Sequence, residues 1–204
     1  MTLDPTTSQT TGWVDLYWIP LGAGGHFVRF NGKAYEAVTA ALQHRPRREV
    51  YHSALEIALP EGRFTVEMTP IPATPGIERG VVAEGPVGAK ALGRFRIFRY
   101  EVRRWRDGVI PDLPYAVASP VRITDDCALA RRVFDVLPDV PTLVWGRDEV
   151  RAGEMWSCNS IISWALVRAG IDIDTLAVPA HARAPGWDVG VAIARDTRRA
   201  AAGA

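Results

Sequence analysis

In the stretch "GEMWSCNSIISWALVRAGID", Gly153 to Asp172, Cys158 follows directly on a serine and stands ahead of an apolar repeat. Ser157 is a good N-cap, Ile161, Ile162, Ala165, Leu166 and Ala169 recur at helical spacing, and Gly170 is placed to close the helix. The spacing predicts an amphipathic helix with Cys158 at its first position. Unpaired backbone N–H groups and the helix dipole favour negative charge there, so the thiol pKa can fall from about 8.5 toward the range of about 3.5 to 7.5 found for activated cysteines. A thiolate at that point is a nucleophile. Its own backbone N–H is placed to donate to the oxyanion that forms when the sulfur attacks a carbonyl. The same position also suits a buried cysteine that only packs.

A nucleophilic thiol needs a base, and the chain has four histidines. His26 lies in a glycine-rich loop, His44 beside Arg45 at a helix end, and His181 in the late loop "PAHARAPG". His52 differs because it stands in a strand, "VYHSALEIAL", whose alternation puts Tyr51, Leu55, Ile57 and Leu59 on one face and His52, Ala54 and Glu56 on the other. The partner strand carries Phe64, Val66 and Met68 on its apolar face and Thr65, Glu67 and Thr69 opposite. Both strands therefore offer a polar face, one with a histidine and one with a carboxylate, which are the parts of a general base and its orienter. With Glu61-Gly62 as the turn, Glu67 pairs with Glu56 and His52 falls opposite Ile71, so Glu67 reaches His52 only through a bulge or strong twist. Thr69 is the nearer third member in that register. A surface imidazole on a half-solvated sheet is the plain alternative for His52.

A strand opening on histidine, a hairpin, a second strand reading "VEMTP" and a helix-borne cysteine together resemble the circularly permuted papain-like superfamily of NlpC-type enzymes, which includes lecithin retinol acyltransferase. The matching stretches are Glu49 to Pro70 and Met155 to Ile171. The resemblance implies Cys158 as nucleophile, His52 as base and Glu67 as the orienting residue. It also implies attack of the thiol on an amide or ester carbonyl, through an acyl-enzyme that water or another acceptor resolves. Two positions depart from the pattern: Ser157 stands where many relatives have asparagine, and the third residue is a glutamate. The middle of the chain, Gly76 to Asp125, has no counterpart and is expected to wall the substrate site. Two other readings stay open: the same fold with a degenerate site that binds a peptide, lipid or protein partner, and an unrelated α+β interaction protein.

These residues need a scaffold. The 204 residues are 48% hydrophobic with no composition shift long enough to mark a linker, so one domain over 12–195 is expected, with 1–11 and 196–204 as flexible tails. "WVDLYWIPL" reads as a first strand, "KAYEAVTAALQH" as a helix, and "EVYHSALEIAL" and "RFTVEMTPI" as a hairpin joined by "PEG". Further strands are expected near Gly80 to Glu84 and Ile97 to Arg104, a second helix in "TDDCALARRVFDVL", and a last strand in "APGWDVGVAIA". Consecutive strands with helices at the margins predict an α+β fold with an antiparallel sheet and flanking helices.

Composition narrows the partners. The 24 basic and 23 acidic residues nearly cancel, which offers no global field for nucleic acid. The locally basic "RFRIFRYEVRRWR" reads as a solvated strand, with Phe95, Ile97 and Arg99 on one face. No apolar run approaches the ~18 residues of a membrane span, and the polar start is no secretory signal, so a cytoplasmic, reducing setting with free thiols at Cys127 and Cys158 is expected. The histidines and cysteines show no metal-ligand spacing, and "GAGG" lacks the Gly-Lys-Ser/Thr ending of a phosphate loop, so no metal or other cofactor is expected. The expected partner is a small-molecule, peptide or lipid substrate. Of the tryptophans, Trp145 and Trp156 flank the cysteine closely enough in sequence to line a cleft.

Overall fold

The computed structural model describes residues 12–21, 44, 48–71 and 78–202, with side chains described to residue 200. The expected helix over 33–44, the glycine-rich loop with His26, and residues 1–11 fall outside this set, apart from His44. Strands β1 (Trp13–Pro20), β2 (Glu49–Leu59), β3 (Gly62–Pro70), β4 (Val81–Pro86), β5 (Arg99–Arg106), β6 (Val121–Thr124) and the short β7 (Ala182–Arg183) form one sheet. Its order is β4-β5-β3-β2-β1-β6, with β7 pairing β2 off this path. All neighbours are antiparallel except β7, which runs parallel to the start of β2. Among the described residues, three α-helices accompany it: α1 (Cys127–Val136), α2 (Cys158–Ala169) and α3 (Trp187–Ala202). The mixed α+β architecture with an antiparallel sheet is the one the order of elements predicts.

Alternation along the strands divides the sheet into two faces. Val14, Leu16, Trp18, Leu55, Ile57, Leu59, Val66, Met68, Tyr100 and Val102 face the helices and form the main core with α1 and α2. Tyr17, Ile19 and Ala54 face the other way, where Ile110, Leu113 and Ala116 of the loop after β5 pack on them. That loop is fastened by Thr65 Oγ1 donating to the Gly108 carbonyl at 2.8 Å and by the Val117 N–H donating to Trp18 O at 2.9 Å.

Helix α2 lies at the centre. Ser157 caps it with a capping box closed by Ser160, and Gly170 ends it at φ 96°, as the sequence signals require. The expected amphipathic character is corrected, because every residue from Cys158 to Val167 is buried. Its polar side is covered by the loop that leads into α3: Ser157 Oγ donates to Pro185 O, Ser160 Oγ to Gly186 O and Ser163 Oγ to Trp187 O, each at 2.7 Å. Small hydroxyls satisfied by carbonyls let two backbones approach where longer polar side chains would not fit.

Three further expectations are corrected. "APGWDVGVAIA" is not a strand but the loop into α3 and the first turns of that helix, which continues to Ala202 through most of the expected tail. Val189, Ile193 and the Ala194 beside it recur at helical spacing. The segment before β5 is not extended: Lys90–Arg94 and Arg96–Phe98 form short 3-10 turns, and the strand begins only at Arg99. The β2–β3 turn is Pro60-Glu61, since Leu59 pairs with Gly62. Capping of α1 falls to Asp126, which accepts from the Ala128 and Leu129 N–H groups, while Thr124 accepts from Asp126 itself.

Candidate functional site

Cys158 stands at the first position of α2, where the sequence places it, yet its side chain belongs to the core and the residue is 8% exposed. Burial pushes its thiol up to about 11, while N–H groups of Ser53, Asn159 and Cys158 itself, together with the Ser157 hydroxyl, pull the other way. Desolvation outweighs the helix terminus here because a thiolate would lose its water on all sides. At neutral pH the sulfur is a protonated thiol.

The residue that ties α2 to the sheet is its neighbour. Asn159 Nδ2 donates to Tyr51 O and to Pro185 O, both at 3.0 Å, and its Oδ1 accepts from Ser53 Oγ at 2.9 Å. One buried amide thus fixes β2, α2 and the loop before α3 together. Sequence reading gave Asn159 and Ser53 no role, and their small polar character inside apolar runs was the available signal.

His52 lies on the other side of the sheet. The β1–β2 ladder is unbroken from Trp13↔Ala58 to Pro20↔Tyr51, with Ser53 opposite Trp18 and His52 opposite Ile19. Ser53 points to α2 and Trp18 to the main core, so His52 and Ile19 point away from both. The expected Cys158–His52 pairing is therefore corrected: alternation sends the two side chains to opposite faces, and no hydrogen bond joins them. Burial brings the His52 imidazole down to about 4, with the Asp112 carboxylate pulling it up. It is a neutral ring at physiological pH.

Glu67 does share the face of His52. The ladder of β2 with β3 stops at Leu55↔Val66, one position short of Glu67, and with the turn at Pro60-Glu61 the strand is shifted from the expected pairing of Glu67 with Glu56. Its carboxylate is engaged by Arg103, directly opposite on β5, at 2.9 Å. Burial pushes Glu67 up, Arg103 offsets this, and Glu101 and Asp112 add to the rise. Thr69, the other candidate, hydrogen-bonds only weakly to Pro70 O at 3.4 Å. Glu101 is buried and holds Arg103 at 2.5 Å and Arg79 at 2.7 Å; burial alone would raise it, but the two guanidiniums bring it below the usual carboxylate range.

His52, Glu67, Glu101, Arg103 and Asp112 thus form a polar cluster on the second face, joined by Arg79 from the sheet edge. Among the described residues, three carboxylates, two guanidiniums and a neutral imidazole meet there, a formal excess of one negative charge in that set. Such a cluster can accept hydrogen bonds and attract a cation. Glu101 and Arg103 were legible as the alternate charged residues of "YEVRRW", whereas Asp112 arrives from a loop that no periodicity marks. Among the described residues, no group of three or more His, Cys, Asp or Glu is arranged to hold a metal ion.

The tryptophans next to Cys158 do not line a cleft beside it. Trp156 is fully buried with its N–H donating to the Tyr100 hydroxyl at 3.2 Å, and Trp145 meets Tyr100 edge-on at 5.9 Å. Among the described residues no helix is long and apolar enough to cross a membrane. Comparison of the chain with protein-family models, with curated proteins and with solved structures finds no match.

Proposed function

We propose that the protein is a binding module in which the charged second face of the sheet, and not the thiol, meets the ligand. The observation that carries this reading is the division of the expected dyad, with Cys158 in the main core and His52 on the face that also bears Glu67, Asp112 and Arg103. The excess negative charge at Asp112, beside an imidazole that stays neutral, suits a ligand that brings an ammonium group, such as the free amino end of a short peptide. In evolutionary terms this is a permuted papain-like fold with a degenerate thiol site, a relation that rests on the order of the histidine strand, the hairpin and the cysteine helix.

Titrating a dipeptide amide into the intact protein tests the binding directly. The His52 ring signals should shift saturably, and Asp112→Asn should weaken the effect several-fold, with the His52 signals of the free protein otherwise retained. Unmoved His52 signals at millimolar dipeptide amide would refute the assignment.

One observation favours a second reading, a thiol hydrolase or acyltransferase that acts on an amide or ester. Backbone N–H groups of Ser53, Cys158 and Asn159 converge on the sulfur, as they would on a thiolate or an oxyanion. Iodoacetamide separates the two readings. On the binding reading, Cys158 reacts at pH 6.5 no faster than the half-buried Cys127, and His52→Ala leaves its rate unchanged. Rapid labelling of Cys158 that His52→Ala slows, with turnover of acyl-ester probes lost in Cys158→Ala, would establish the thiol enzyme instead.

A further inference from the structure

Two buried donors near the end of α2 lack an acceptor. Trp164 is 3% exposed, and among the described residues neither its indole N–H nor the buried Nε–H of Arg168, one turn further along the same face, finds a hydrogen-bond partner. The Arg168 guanidinium lies 5.9 Å from the centre of the Trp164 ring, so the two donors are neighbours. Elsewhere on this helix the side-chain donors are met: Ser157, Ser160 and Ser163 each donate to a carbonyl, and Asn159 donates to two. A buried donor without an acceptor is unfavourable, and two side by side mark a place that an acceptor from outside would satisfy.

Positive charge gathers at the same end. Arg132 of α1 donates through Nε to the Ala169 carbonyl at 3.0 Å, and a Cβ added at Gly170 would lie 3.4 Å from Nη2 of Arg198 on α3. Each of the three helices thus brings one guanidinium to the last turn of α2. Among the described residues none of Arg132, Arg168 and Arg198 is paired with a carboxylate, whereas Arg79, Arg103, Arg122 and Arg131 all are. Acidic groups nearby are engaged or turned elsewhere. Asp174 holds Arg195 at 2.7 Å, Asp172 accepts the Asp174 N–H at 3.0 Å, and Asp135 acts on Arg104 and Arg131. Asp196 stands two residues from Arg198, on another side of α3. The carbonyl end of a helix carries only about half a negative charge, which the first guanidinium already offsets.

We propose that the C-terminal end of α2 binds the phosphate group of a small phosphorylated molecule, with Arg168, Arg132 and Arg198 supplying the charge. A phosphate has oxygens enough to accept from more than one guanidinium at once, whereas a carboxylate is filled by one arginine fork. An oxygen that accepts from Arg168 Nε approaches on the side of the helix that carries the Trp164 N–H. Both unmet donors then gain an acceptor. Trp164 belongs to the main core on the helix side of the sheet, so this site is separate from the face of His52 and Asp112 and stands or falls without it.

The indole N–H signals of the nitrogen-labelled full chain test the proposal, with that of Trp164 assigned from its loss in Trp164→Phe. Inorganic phosphate and pyrophosphate, added at constant ionic strength, should move the Trp164 signal saturably and leave those of the other tryptophans in place. Acetate should move it far less. Arg168→Gln and Arg198→Gln should each weaken the effect about fivefold or more, as loss of a charge-assisted contact does. Arg198 is exposed on the last turns of α3, so its variant keeps the fold, which an unchanged melting temperature verifies. Arg151→Gln, in the loop that precedes the other end of α2, should change nothing. A Trp164 signal unmoved at about 50 mM phosphate overturns the proposal and leaves the two donors to a buried water. So does a shift that chloride reproduces, or one that Arg151→Gln weakens as much as Arg198→Gln, since either would mean diffuse attraction without a site.

Discussion

The Cys158 thiol and the His52 imidazole are both kept uncharged by burial, on opposite faces of the same strand neighbourhood. For His52 this couples folding to pH. Its pKa is about 4 in the folded protein against about 6.5 when unfolded, so between these values the unfolded chain binds the extra proton. Its contribution to stability is fully present above pH 6.5 and is lost as pH falls toward 4. The full shift corresponds to about 3 kcal/mol, an upper bound because solvent reaches the half-buried ring. Urea unfolding midpoints followed from pH 7 to pH 4 should therefore fall less steeply in His52→Gln than in the native protein. Parallel curves for the two would show that the ring is solvated. At Asn159 the chemistry is that of a clamp, since one amide makes three hydrogen bonds inside the core.

Helix α2 can be buried all round only because its neighbours come close. Gly190, in the first turns of α3, shows the constraint most sharply: a Cβ there would lie 2.0 Å from Ser160 O and 2.2 Å from Ser163 Oγ. Gly190→Ala must push the two helices apart, and a loss of about 2 kcal/mol or more is expected, read as a lower melting temperature. Gly190→Ala with unchanged stability would mean that α3 is not seated where the structure has it. Ser163→Ala removes the hydroxyl that meets the Trp187 carbonyl and should cost about 1 kcal/mol, less than the glycine change because it opens space.

For the molecule as a whole, among the described residues, the sheet separates an apolar side that carries α1, α2 and α3 from a second side where the loop after β5 covers a smaller apolar cluster beside the charged residues. Trp187 joins the distant ends of the chain across the apolar side, with its ring 4.9 Å from that of Trp18 on β1. Replacing it with alanine leaves a cavity beneath α3, and a destabilisation of about 3 to 5 kcal/mol is expected from denaturant titration. An ordinary surface-sized effect would show instead that α3 is an accessory to the fold.

Local signals were legible wherever one element decides them. Ser157 and Gly170 bounded α2, alternation assigned β1, β2 and β3 with their two faces, and the α+β class followed from the order of elements. The helical start of "GWDVGVAIA" was missed because a strand-like run of small and branched residues also fits a helix packed on its neighbour's serines. The register of the hairpin depended on a turn one residue earlier than its glycine suggests. Sequence alone determined that Cys158 begins a capped helix and that His52 stands on a strand. Only the tertiary structure decided that the helix docks through Asn159 against the face His52 does not occupy, because period-two alternation fixes which residues share a face but not which face a distant helix will cover.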